Sequence, residues 1–283
     1  MDERLFINLI PGNTFLDKLQ GKTKVRIFLI CIVALIATWD MRVILPFALL
    51  SVIGLISLKP NWKKMWGVFA FVIAMNLFNL FLLYIITPDY GLSVCGASTV
   101  LFKFTDFYVV TAETLWYFLV RFTKLMGSFI VSLTFIQCIT PSEMAAGLNS
   151  IGVPYKICTI FSLAFRYIPD ITKDFNNIKI SMQARGMELD PKKTSLWERL
   201  KQNVIILVPL IITSFDRVGN IANAMDLRGY GKGKSRTYYS EHEETSNDKK
   251  MKYFYMFLLA VTVAVIVLRI VMPGEFEVWT PWI

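Results

Sequence analysis

Two stretches of the chain repeat one spacing of chemically useful residues. Ile178, Met182, Arg185 and Gly186 recur as Ile221, Met225, Arg228 and Gly229, with Ala184 or Leu227 just ahead of each arginine. Steps of four and three residues put Ile, Met and Arg on one face of a helix. Glycine suits the position just past a helix end, where the backbone turns left-handed. A guanidinium near that end also meets the negative pole of the helix dipole. Such a tip can dock into a groove: Ile and Met supply apolar anchorage, and Arg can fork onto a carboxylate. One copy alone also fits an ordinary amphipathic helix with a glycine stop. Two copies at identical spacing point to two equivalent tips offered to two similar partners.

Other chemistries find little support. The one histidine, His242, sits among Glu241, Glu243 and Glu244 in a polar stretch, so no Ser-His-Asp or Cys-His set can be assembled. It reads as a solvated linker residue rather than a metal ligand. Cys31, Cys95, Cys138 and Cys158 lie far apart, with no spacing that suggests a disulfide framework or a zinc site. Gly233-Lys234-Ser235 ends like a phosphate loop, but Arg228 stands where its first glycine is needed and no strand precedes it. Glu143, Asp170, Asp174, Glu188 and Asp216 show no catalytic pairing. No catalytic residue, metal or cofactor is expected in the chain itself.

The elements that carry the repeated tips follow from composition. Of the 283 residues, 55% are hydrophobic and only 18% charged, against about 25% charged in soluble domains. The apolar residues gather at 25–38, 43–58, 66–86, 111–138 and 253–270, in blocks close to the roughly 20 residues that cross a bilayer. Residues 87–108 read as an outer loop. Residues 139–250 hold most of the charge and place apolar residues at helical spacing, with no sustained alternation of period two. The expected fold is therefore an all-α integral membrane protein: about five transmembrane helices, plus a cytoplasmic helical coupling domain inserted before the last span. The expected parts are a four-span membrane domain at 1–138, coupling helices at 139–250 with a polar linker at 231–250, and the last span with its tail at 251–283.

Charge sets the expected orientation. Arg4, Lys18, Lys22, Lys24 and Arg26 precede or open the first span, and Lys59, Lys63 and Lys64 follow the second. The alternate loops hold only Arg42 and Lys103, and the tail after Pro273 carries Glu275 and Glu277 with no Lys or Arg. The positive-inside rule then puts the N-terminus in the cytoplasm and the C-terminus outside. It also accounts for the net charge of +9 without nucleic acid, for which an interleaved basic and aromatic groove is missing. Arg121 and Lys124 fall inside the fourth run, so either they face protein or that half of the helix leaves the lipid.

An ordered series of motifs adds a resemblance. Thr140-Pro141-Ser142-Glu143-Met144, Ile151-Gly152-Val153-Pro154 and Ala164-Phe165-Arg166-Tyr167-Ile168-Pro169 lead into Ala184-Arg185-Gly186. Val208-Pro209-Leu210, Ser214-Phe215-Asp216-Arg217 and Ala224-Met225-Asp226-Leu227-Arg228-Gly229-Tyr230 follow. The series resembles the transmembrane coupling subunit, or T component, of energy-coupling factor transporters over nearly the whole chain. The resemblance implies two ABC-type ATPase partners docked on Ala184, Arg185, Gly186, Leu227, Arg228 and Gly229, with Ile178, Met182, Ile221 and Met225 supporting the tips. It also implies a separate membrane S component that binds a micronutrient and touches a surface that includes Tyr155, Ile160, Phe161 and Phe165. ATP would be bound by the partners, and the complex would sit in a prokaryotic cell membrane.

Two departures stand out. Leu19-Gln20-Gly21-Lys22-Thr23-Lys24 replaces an Asp-Pro-Arg-Thr-Lys-like element, and Leu227 replaces the usual Ala of Ala-Arg-Gly. The second departure means that the two ATPases need not be identical. A conventional ABC importer permease is the nearest alternative, but it usually presents one coupling loop per chain. A secondary transporter would show matching halves with broken helices. A membrane scaffold without a transport role stays open.

Overall fold

The computed structural model describes residues 12, 14–88, 99–103, 109–188, 195–233, 238 and 245–271. In chain order its elements are α1 (Gly21–Ala37), α2 (Met41–Ser57), α3 (Trp62–Ile86), β1 (Val100–Lys103), β2 (Val109–Thr111), α4 (Ala112–Cys138), α5 (Pro141–Ser150), α6 (Tyr155–Ala184), α7 (Leu196–Leu227) and α8 (Ser246–Val271). They fall into two compact units, residues 1–151 with 239–283, and residues 152–238.

In the first unit, α1, α2, α4 and α8 enclose a core built on Leu35, Ile44, Phe47, Val120, Val131 and Leu258. Local signals start these helices where chain chemistry demands. The Asp40 carboxylate accepts from Arg42 N at 2.9 Å to open α2, and Thr111 Oγ1 accepts from Thr114 N to open α4. A reciprocal Thr140–Glu143 capping box with Pro141 in the first turn opens α5. These contacts satisfy backbone N–H groups that have no partner within their own helix.

Helix α5 lies within the stretch expected to be cytoplasmic, and it packs on α1 in the first unit. Two glycines set that approach. A Cβ on Gly21 would stand 2.2 Å from Glu143 O, and one on Gly147 would stand 2.4 Å from Val25 Cγ2. Any side chain there would push the helices apart. Lys24 of α1 meets Glu143 of α5 at 2.9 Å. Asp248 of α8 accepts from Gln20 N at 2.9 Å, and Arg26 donates to Tyr255 Oη at 2.9 Å.

The charges inside α4 face protein. Lys124 Nζ donates to Ile36 O at 2.9 Å and Thr38 O at 3.0 Å, and lies 3.9 Å from the centre of the Trp39 ring. Arg269 of α8 donates to Ala37 O. Two cations thus serve the carbonyls at the α1 terminus, where the helix dipole is negative. Arg121 donates to Asn79 Oδ1 of α3 at 3.1 Å, on a helix whose remaining surface is largely exposed and apolar.

The protein is an all-α membrane protein, with one small ladder the sequence did not signal. Strand β1, inside the expected outer loop, pairs antiparallel with β2 just after it, and Glu113 at the start of α4 holds Thr99 Oγ1 at 2.8 Å. Residues 89–98, including Cys95, and residues 104–108 lie outside the described residues. Among the described residues, four stretches are long and apolar enough to cross a bilayer: Met65–Ile86, Ala112–Cys138, Leu200–Leu227 and Ser246–Val271. Helices α1 and α2 have 17 residues each, about 25 Å at 1.5 Å per residue. Stretch Leu200–Leu227 sits where a cytoplasmic helix was expected. Helix α8 begins at Ser246 and so takes in the last residues of the expected linker; His242 and the Trp279 and Trp282 tail fall outside the described residues.

Candidate functional site: two arginine-ended helix tips

The second unit is a pair of long helices, α6 and α7, packed on each other. Ile206 and Leu210 of α7 and Cys158 of α6 are buried. An ion pair between Asp174 of α6 and Arg217 of α7 ties the two together. Tyr155 packs edge-on against Tyr230, with ring centres 5.9 Å apart. A Ser195–Glu198 capping box starts α7.

Both helices end in the same closure. At the end of α6, Gly186 N donates to Gln183 O at 3.0 Å and Met187 N to Met182 O at 3.1 Å. At the end of α7, Gly229 N donates to Asp226 O at 2.9 Å and Tyr230 N to Met225 O at 3.0 Å. Each is the paired bond set of a Schellman motif, which satisfies carbonyls left over at a helix C-terminus. The closure requires a left-handed residue, and Gly186 at φ +93° and Gly229 at φ +68° supply it. The repeated glycine is thus explained by backbone geometry at both ends.

The arginines occupy corresponding places. Arg185 has φ −87° and ψ 10°, and Arg228 has φ −82° and ψ 6°; each is the residue at which its helix stops. Both are exposed, whereas Ile178, Met182, Ile221 and Met225 are half-buried. The Ile and Met therefore anchor each tip within its own unit, while the guanidinium reaches solvent. Ala184 is exposed beside Arg185, and Leu227 beside Arg228 is 90% exposed. The Leu departure places a bare apolar knob on one tip that the other lacks.

Other residues of the expected partner surface divide by burial. Ile160 and Phe161 are exposed, Phe165 is half-buried, and Tyr155 is buried against Tyr230. On α7, Val204, Val208, Ile211, Ile212 and Phe215 are exposed. The Asp174–Arg217 pair leaves no local signal in the sequence, because its members are 43 residues apart. Met187 and Tyr230, which complete the two closures, became visible only through their backbone bonds. Among the described residues, no group of three or more His, Cys, Asp or Glu side chains could hold a metal ion.

Residues 12–239 match the model of the CbiQ family, described as cobalt transport protein. Similar curated proteins carry the name energy-coupling factor transporter transmembrane protein EcfT. The one from Clostridium kluyveri is 29% identical, across 84% of this chain and 88% of its own length. Those from Bacillus subtilis and Bacillus selenitireducens are 28% and 26% identical, across 92% and 89% of this chain and 97% and 93% of theirs. With its apolar spans, this kinship locates the protein in the plasma membrane. The chain belongs to the CbiQ family, as a non-catalytic transmembrane T component of an energy-coupling factor transporter.

Proposed function

We propose that the chain links ATP hydrolysis by two ABC-type ATPase subunits to uptake of a micronutrient, a vitamin or a metal ion, bound by a separate membrane S component. One observation carries this reading: two helices of a single packed pair end in the same closure, each with an exposed arginine at its tip. A tip closed on itself by two backbone bonds is a firm point of attachment, and an exposed guanidinium can take a carboxylate in a partner's groove. Movement of two ATPases toward and away from each other would drive the tips, and the α6–α7 pair would carry that displacement to its apolar surfaces. Ile160, Phe161 and Phe165 would meet the S component there, with Tyr155 supporting them from behind. ATP stays with the partners. The tips then lie in the cytoplasm, in keeping with an N-terminus inside and a C-terminus outside. Leu227 opposite Ala184 fits two ATPases that are not identical.

The test is a tagged purification from solubilised membranes, comparing wild type with Arg185→Glu/Arg228→Glu. Two ATPases and a small membrane protein should copurify with wild type, and the double variant should lose the ATPases alone. Equal ATPase recovery with both forms, or none with wild type, would remove the coupling role from the tips. Crosslinking from each tip separately then reads partner identity: equal marking of both ATPases by both tips would rule out a matched, non-identical pair.

A further inference from the structure

The first half of α1, the last thirds of α2 and α4, and the early turns of α8 enclose a cleft of about 270 Å³. Phe28, Cys31, Ile53, Val131, Phe135 and Phe254 wall it, and Leu16, Leu19 and Met251 line it toward the start of α1. Three of its polar residues have hydrogen-bond partners outside the cleft or in their own helix. Ser51 Oγ donates to Ala48 O at 2.7 Å, and Thr134 Oγ1 to Ile130 O at 2.8 Å. Lys24 Nζ is held by Asp17 O at 2.8 Å and by Glu143 at 2.9 Å. The cleft therefore offers almost nothing that would recognise a polar ligand. An apolar cavity of roughly 150 Å³ stays dry and accepts an apolar guest, and this one is larger. Ile53, 64% exposed, and the exposed Ser57 leave its α2 side open.

Among the described residues, the exposed charges next in sequence to the cleft lining are basic. Exposed Lys18 falls between the lining residues Leu16 and Leu19, exposed Lys59 follows Ser57 by two positions, and exposed Lys249, Lys250 and Lys252 flank Met251. The described acids near this end are buried and engaged: Asp17 with Thr14, Glu143 with Lys24, and Asp248 with Gln20 and Thr245. An apolar slot in a membrane protein, open on one side and bordered by exposed ammonium groups, matches a lipid with an acyl tail and an anionic head.

We propose that this cleft seats one acyl chain of an anionic glycerophospholipid whose phosphate lies against Lys18, Lys59 and Lys250. The site is built from first-unit residues alone and does not depend on the coupling reading. Each lysine near an anionic headgroup contributes about a fivefold preference, so the set should favour an anionic lipid by at least about tenfold.

The full chain, purified with the subunits that accompany it and stripped of lipid, would be titrated with phosphatidylglycerol or phosphatidylcholine and read by native mass spectrometry. One phosphatidylglycerol per chain should bind at least about tenfold more tightly than phosphatidylcholine. Ser57→Trp should remove that adduct by filling the open side. Lys18→Gln/Lys59→Gln/Lys250→Gln should keep one lipid but bring the two headgroups level. Should Ser57→Trp fail to fold, wild type supplies the second reading: phosphatidylglycerol should slow labelling of Cys138 by an apolar maleimide, and phosphatidylcholine should slow it less. Equal binding of the two lipids to wild type, an unchanged adduct on folded Ser57→Trp, or Cys138 labelling indifferent to lipid would each overturn the proposal.

Discussion

Lys24 and Glu143 meet at 2.9 Å with side chains only 2% and 10% exposed, joining the first turn of α1 to the first turn of α5. The same carboxylate accepts from Thr140 N at 3.0 Å, so one group caps α5 and neutralises a buried ammonium. The departure from the usual family element at residues 19–24 thus still ends in a lysine with a structural partner.

Removing one member of a buried pair leaves an uncompensated charge, at a cost of about 3–5 kcal/mol. Glu143→Ala should therefore unfold in detergent at a much lower temperature than wild type. Lys24→Met/Glu143→Leu should recover part of the loss, because two apolar groups carry no buried charge. A double variant as unstable as Glu143→Ala would show that the cap, rather than the charge, sets the cost.

The Asp174–Arg217 pair should behave differently. Its side chains are 32% and 35% exposed, and pairs open to water contribute about 0–1 kcal/mol. Arg217→Gln should shift thermal unfolding only slightly, far less than Glu143→Ala. Comparable losses in the two variants would mean that the α6–α7 pair depends on this contact.

Gly147→Ala tests the close approach of α1 and α5. The new Cβ would meet Val25 Cγ2 at 2.4 Å and Gly21 O at 2.7 Å, and overpacking of this kind costs about 1–3 kcal/mol. Thermal unfolding should fall measurably, and Gly147→Leu should fall further. Wild-type stability for Gly147→Ala would show that the two helices separate without penalty.

The two tip glycines should respond unequally to alanine. Gly229 at φ +68° lies at the edge of the left-handed well, whereas Gly186 at φ +93° lies beyond it. A non-glycine residue in the well costs about 1–2 kcal/mol. Gly186→Ala should therefore speed exchange of the Met187 amide more than Gly229→Ala speeds that of Tyr230, as read by hydrogen–deuterium exchange. Equal acceleration would contradict the difference in backbone strain.

Lys124 should prove structural. Lys124→Met removes the donor to Ile36 O and Thr38 O, and a cation at a partly buried helix terminus contributes up to about 2 kcal/mol. Unfolding temperature should drop, with Lys124→Arg losing less. No change in Lys124→Met would leave Arg269, which serves the neighbouring Ala37 O, as the sufficient cap.

Residues close in sequence determined much of this protein by themselves. Thr140-Pro141-Ser142-Glu143 starts a helix, and Arg185-Gly186 and Arg228-Gly229 end two, because caps and closures act across four or five residues and leave their mark in order and spacing. The apolar excess announced a membrane protein for a similar reason, since a helix in lipid must be apolar along its own length. Tertiary structure decided the rest. Lys24 finds Glu143 across 119 residues, Arg217 finds Asp174 across 43, and Lys124 finds Thr38 across 86. Any of several acids or carbonyls would have served on chemistry alone, and only the packing of α1 on α4 and α5, and of α6 on α7, chooses among them.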